Sequence, residues 1–128
     1  MKNDIYDYLI FKLDDQYEKY EFVLIPIPPY EFVENGLSLE PYEYFGDSTV
    51  ILGLRTKQII LYFNCDILMR VKLFYNGNRL ESVKDFLNSI AVNLPAYMTL
   101  RLYYDNGEQQ TIIEYQKKIL GQNKLKLS

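Results

Sequence analysis

The side chains best placed for chemistry in this sequence are carboxylates, and several come in pairs: Asp14 with Asp15, Glu31 with Glu34, Glu40 with Glu43. Two carboxylates held together can divide acid and base roles or share a magnesium ion. No further motif accompanies these pairs, so a solvated acidic loop is the commoner explanation of their spacing. The rest of the catalytic repertoire is thin. There is no histidine, which excludes Ser-His-Asp triads, Cys-His dyads and imidazole metal sites. Cys65 is the only cysteine, so an intrachain disulfide, a structural zinc site and an iron–sulfur cluster are excluded too. Nucleophilic cysteines sit in electropositive surroundings, whereas Cys65 adjoins Asp66, and it reads as structural. The 6 glycines are scattered singly through turns, without the spacing of a phosphate-binding loop. The expectation is a protein that is not an enzyme, with no catalytic residue, cofactor or metal site.

Charge and aromatic content point instead to surfaces. The net charge of −3 divides unevenly, with −8 in residues 1–53 and +5 in residues 54–128. Such asymmetry suits either an internal pairing of surfaces or two distinct partners. Within the acidic half, Glu18, Glu21, Glu31, Glu40 and Glu43 are interleaved with Tyr17, Tyr20, Tyr42 and Tyr44. Carboxylates steer a basic partner inward, and tyrosines supply rigid contact area at low entropic cost. These nine residues are the candidate partner-binding set. A second candidate surface is the face carrying Arg70, Lys72, Phe74, Arg101 and Tyr103, since cations among aromatics suit single-stranded nucleic acid. The acidic net charge makes nucleic acid the less favoured partner.

Length and periodicity define what must position these groups. The 128 residues, 48% hydrophobic and 16% aromatic, suit one domain with a real core. Tyr8–Leu13 alternates as a first short strand, and Tyr20–Ile27 pairs back across a turn at Asp14-Asp15-Gln16. Within the latter, Phe22-Val23-Leu24-Ile25 is apolar without alternation, the pattern of a strand buried on both faces. The acidic residues 30–48, punctuated by Gly36, Pro41 and Gly46, read as a long irregular connection with room for a helical turn. Residues 49–54 and Gln58–Asn64 follow as strands around Arg55-Thr56-Lys57.

The clearest unit is Ile67–Tyr104. Ile67, Met69, Val71, Leu73 and Tyr75 alternate onto one face, with Arg70 and Lys72 on the other. Asn76-Gly77-Asn78 makes a turn, and Ser82 with Asp85 suits a helix start. An apolar stripe of Val83, Phe86, Leu87, Ile90, Ala91 and Leu94 predicts a helix over about 83–94, ended by Pro95. Its stripe should cover Val71, Leu73, Leu100 and Leu102, leaving the basic–aromatic set on the far face. If the flanking strands are parallel neighbours, the crossover is right-handed. Asp105-Asn106-Gly107 signals a hairpin returning through Thr111–Tyr115, against the competing reading of a helix over 108–120. Residues 116–128 read as a basic tail.

The fold expected is therefore α+β, with about six or seven short, mostly antiparallel strands and one clear helix. The amino-terminal residues lack a signal-peptide core and no run is long enough to span a bilayer, so the expected setting is cytoplasmic. The expected function is a small inhibitor or immunity-type protein engaging a basic site on a larger, nucleic-acid-handling protein. A self-associating structural protein, in the simplest case a homodimer, is the alternative. No motif assigns a family. Size and the acidic tyrosine-bearing loop resemble, in general style, small immunity proteins and phage-encoded inhibitors, and no residue role follows from that likeness.

Overall fold

A computed structural model describes residues 4–47 and 50–121. The fold is α+β: an antiparallel sheet of seven strands and one helix of substantial length. In chain order the elements are α1 (Tyr6–Leu9), β1 (Leu24–Pro26), β2 (Phe32–Glu34), β3 (Leu37–Tyr44), β4 (Val50–Ile51), β5 (Leu54–Arg55), β6 (Gln58–Asn64), β7 (Ile67–Asn76), α2 (Leu80–Ile90), β8 (Met98–Asp105), β9 (Gln110–Lys117) and α3 (Lys118–Gly121). The sheet order is β1-β3-β6-β7-β9-β8, with β2 also pairing β3, while β4 and β5 form a separate hairpin.

Three hairpins close on two residues that both have positive φ: Asn35-Gly36, Leu52-Gly53 and Cys65-Asp66. Such turns match the right-handed twist of the strands they join. Asn-Gly is the sequence that adopts this geometry with least strain, and it converts the predicted irregular connection over 30–48 into the β2–β3 hairpin. The acidic residues there had masked the alternation of Leu37, Leu39 and Pro41. Pro41 is accommodated because its carbonyl accepts from the Ile27 amide, so its own nitrogen faces the same side, just past the end of β1. The turn expected at Arg55-Thr56-Lys57 lies instead at Leu52-Gly53, so residues 49–54 are not one strand. Cys65 is exposed in its turn, not packed as a structural thiol.

One face of the sheet carries Leu61, Phe63, Val71, Leu73, Tyr75, Ile113 and Tyr115 into the main core. Val83, Phe86, Leu87 and Ile90 of α2 cover this face together with Leu100 and Leu102, as the periodicity predicts. The helix begins earlier than expected, because the Leu80 amide is held by the Asn78 side chain at 3.1 Å and Ser82 lies inside it. It ends at Ile90 with Ala91 in the left-handed region, so Leu94 lies beyond it and is exposed. Thr111 ties the helix start to β9, accepting from the Arg79 amide and donating to the Gly77 carbonyl. Strands β7 and β8 are both antiparallel to β9, hence parallel to each other, but β9 lies between them and they are not neighbours.

The amino-terminal segment corrects two further expectations. Leu9, Phe11 and Leu13 are buried as their alternation implies, yet they belong to α1 and the loop after it, without a strand ladder. Fully burying such a side chain contributes about 1.5–3 kcal/mol, enough to hold the segment through packing. Residues 20–27 contain a 3-10 turn, Glu21–Val23, and the three-residue edge strand β1, not a central strand; a second short 3-10 turn, Tyr17–Lys19, precedes them. Consecutive burial on both faces belongs instead to β6, over Ile59–Phe63, and to β9, over Gln110–Tyr115.

In β7 the register shifts: Tyr62 pairs with Arg70 and Phe63 with Leu68, leaving Met69 as an extra residue. This bulge reverses the alternation. Leu68 therefore joins the main core, while Ile67 and Met69 pack with Leu39 and Leu120 in a satellite cluster. β9 runs through Lys117 and α3 follows directly, so residues 108–120 are not one helix and 116–121 are not a tail; Lys124 and Lys126 lie outside the described residues.

Two tyrosine hydroxyls satisfy backbone carbonyls inside the core, Tyr115 to Phe11 at 2.6 Å and Tyr75 to Ile51 at 2.8 Å. Tyr115→Phe should lower unfolding free energy by about 1–3 kcal/mol, because it leaves the Phe11 carbonyl buried and unpaired. Urea denaturation measures this; an unchanged midpoint would mean that water reaches that carbonyl.

Candidate functional site

The structure divides the predicted partner-binding set. Tyr17, Tyr20, Tyr42 and Tyr44 pack against the main core from the side of the amino-terminal segment. Tyr17 lies 5.3 Å from the Tyr42 ring and 5.5 Å from Phe63, and Tyr44 meets Phe11 edge-on at 4.9 Å. The Tyr20 hydroxyl donates to Asp15 at 2.6 Å. Burial, then the Glu40 carboxylate, raises the pKa of Tyr42; burial, then Asp47, raises that of Tyr44. These tyrosines serve packing first, so a tyrosine count overstates the contact area they offer.

The glutamates are dispersed. Glu40 and Glu43 lie three residues apart on β3 and so project from opposite faces. Glu40 shares a face with Tyr42, and Glu43 is paired with Ile25. Glu31 accepts from the Ser38 hydroxyl. Glu18 and Glu21 sit on the two short turns before β1. None of Glu18, Glu21, Glu40 and Glu43 is in an ion pair among the described residues.

The exposed contact area comes largely from Phe22 and Ile25, expected inside a buried strand, together with Phe45 of the acidic surface itself. Phe22, predicted inside a buried strand, is 87% exposed; Ile25 and Phe45 are 52% and 55% exposed. The Phe45 amide donates to the Val23 carbonyl and Ile25 pairs with Glu43, so the three arise from adjacent paired segments at one edge of the sheet. Glu18, Glu21 and Glu43 lie on those same segments. The available signal was Pro26 with Pro28-Pro29, which suits an edge strand better than a central one.

On the second sheet face, Arg70, Lys72, Phe74, Arg101 and Tyr103 occur together as predicted, but they are interlocked. Arg70 is buried and pairs with Glu34 and with Glu114 at 3.3 Å. Arg101 reaches the other Glu114 oxygen at 2.8 Å. Its hydrogen bond and charge attraction to Glu114 raise the pKa of Arg101. The Arg70–Glu34 pair joins the basic half of the chain to the acidic half, as does Lys117–Asp14 at 2.6 Å. Lys72 makes no ion pair among the described residues; its ammonium lies 5.7 Å from the Tyr62 ring, and burial lowers its pKa. Phe74 is buried beside Ile60, Tyr62 and Ile112, and only Tyr103 of the predicted aromatics is partly open. Glu34, Arg70, Lys72, Thr99, Arg101, Glu114 and Gln116 line a groove of about 560 Å³.

Among the described residues, no group of three or more Asp, Glu or Cys side chains is arranged to hold a metal ion, and no helix is long and apolar enough to cross a membrane. Comparison with protein-family models, curated proteins and solved structures gives no match.

Glu114→Ala removes the carboxylate between two guanidinium groups and should cost about 3 kcal/mol, since buried Arg70 keeps only one carboxylate, Glu34, beside the neutral Gln116 side chain that accepts from its Nε at 2.7 Å. Arg101→Ala, at an exposed partner, should cost about 1 kcal/mol or less. Chemical denaturation of both variants checks the order, and equal losses would remove Glu114 as the centre of the network. Burial also pushes Tyr62 up to about 12, above the unfolded value of about 10. Its contribution is complete below pH about 10 and lost as pH rises toward 12, because only the folded state retains the proton. Tyr62→Phe should flatten that alkaline loss in pH-dependent melting; a curve parallel to wild type would refute the assignment.

Proposed function

We propose that the protein is a non-enzymatic binding module, of the small-inhibitor type, that engages a larger protein through the β1 edge. The partner surface inferred is an apolar hollow bordered by lysine or arginine side chains. The observation that carries this reading is Phe22, a large apolar side chain left almost wholly in water beside Ile25 and Phe45. Apolar area of this kind rimmed by charge marks interaction surfaces. Among the described residues no cation pairs with the glutamates at its border, which supports a role in steering a basic partner. The single-strand nucleic-acid alternative draws less support, since Phe74 is buried and Glu114 engages both arginines.

Capture from host lysate on immobilised protein tests the proposal comparatively. Phe22→Ser with Phe45→Ser should reduce retention of the partner at least about tenfold, as expected for central apolar anchors. Glu18→Lys with Glu21→Lys should slow association and weaken its salt dependence. A partner retained equally by wild type and both variants, with melting temperatures unchanged, would place the interface elsewhere.

A further inference from the structure

Strand β8 ends the sheet on the side opposite β1. It pairs with β9 from Met98 to Asp105, and among the described residues no strand pairs with its outer side. An edge of eight residues turns alternate amide and carbonyl groups outward, ready to accept another strand. The opposite edge is protected by contrast: β1 spans three residues, ends at Pro26 and is followed by Pro28-Pro29. Nothing comparable interrupts β8.

The cross-strand rows of the second face say what such a strand should carry. Lys72 pairs with Glu114, and Glu114 with Arg101. Charge therefore alternates across β7, β9 and β8 and stops on a cation, whose side chain is 67% exposed. The next row runs Phe74, Ile112, Tyr103 and stops on an aromatic ring, which lies 4.8 Å from the Arg101 guanidinium. Three cations and two carboxylates line the groove, one positive charge in excess. Opposite charges directly across strands stabilise pairing, and like charges oppose it.

We infer that β8 receives an extended acidic segment of a partner protein as an added strand, with a carboxylate opposite Arg101 and an apolar or aromatic side chain opposite Tyr103. A second copy of this chain fits less well. Two antiparallel β8 strands with like faces aligned, at their longest overlaps, set Arg101 against Arg101 or Tyr103. A shorter register brings Arg101 to Asp105, but that carboxylate already accepts from the Gly107 and Glu108 amides and the Gln110 side chain.

Fluorescence anisotropy on the full chain tests this with labelled eight-residue peptides of alternating Thr and Val carrying one central Glu, Gln or Lys. The Glu peptide should bind roughly three- to fivefold more tightly than the Gln peptide, the gain of one favourable cross-strand pair, and the Lys peptide most weakly. Arg101→Glu should reverse this order. Arg101→Gln should erase it, and keeps the inference testable if the charge reversal unfolds the protein. Methylating alternate backbone nitrogens of the Glu peptide should abolish binding, because strand addition needs those donors. Phe22→Ser should leave the ranking intact, which separates this edge from the β1 surface. Equal affinity for Glu and Lys peptides, or binding that survives N-methylation, overturns the inference. A wild-type dimer by sedimentation equilibrium with β8 amides protected from exchange overturns it in favour of self-pairing. Binding of oligothymidylate that displaces the Glu peptide while leaving β8 amides unprotected overturns it in favour of nucleic acid.

Discussion

Strand β7 is paired on both sides, to β6 over Ile67–Phe74 and to β9 over Arg70–Asn76, and the rest of the molecule is positioned from it. Its ten residues give α2 a floor of Val71, Leu73 and Tyr75 on one face and set Arg70 and Lys72 on the other. The bulge at Met69 is what allows both. Downstream of it the alternation serves the main core; upstream, Leu68 reaches that same core while Ile67 and Met69 turn to the satellite cluster. Without the extra residue, a strand long enough to span the sheet would bury one end wrongly.

The two faces then solve different problems. The first is covered by α2, the amino-terminal segment and the β4–β5 hairpin, and the polar groups it buries include the hydroxyls of Tyr75, Tyr115 and Thr111, each with a backbone partner. Close approach beneath α2 depends on Gly53: it has positive φ, and a β-carbon there would meet the Phe86 ring at 3.3 Å. Among the described residues the second face is covered more thinly, by Ile27 and Phe32 on its aromatic strip and Glu34 at Arg70, so its interior rows must be compatible with water. It manages this with an aromatic strip around Tyr62 and Phe74 next to the charged network centred on Glu114. A buried carboxylate between two guanidinium groups is costly to desolvate, and its charge attraction to both offsets that cost.

The charge asymmetry of the chain acquires a spatial meaning in this arrangement. Part of it is internal, because Arg70–Glu34 and Lys117–Asp14 join the two halves. The remainder is separated across the sheet. Glu18, Glu21 and Glu43, without an ion pair among the described residues, lie near β1, and the cationic ladder stops at β8. The molecule thus presents two edges of opposite character, one apolar and acidic with its backbone blocked by prolines, the other cationic with its backbone open.

By itself the sequence determined the α+β class, the single long helix and its apolar stripe, the β8–β9 hairpin and the grouping of Arg70, Lys72, Phe74, Arg101 and Tyr103. These follow from periodicity and turn chemistry over short spans, which the local chain encodes. Tertiary structure decided what needed distant partners. Phe22 is exposed because β1 lies at an edge, and an edge is defined by which strand is absent. Leu9, Phe11 and Leu13 are buried with no ladder because other elements close over them. Tyr17, Tyr42 and Tyr44 became packing residues only once Phe63 and Phe11 were brought against them. The Met69 bulge reflects competition between two clusters for one strand, and nothing within nine residues of alternation reveals which cluster prevails.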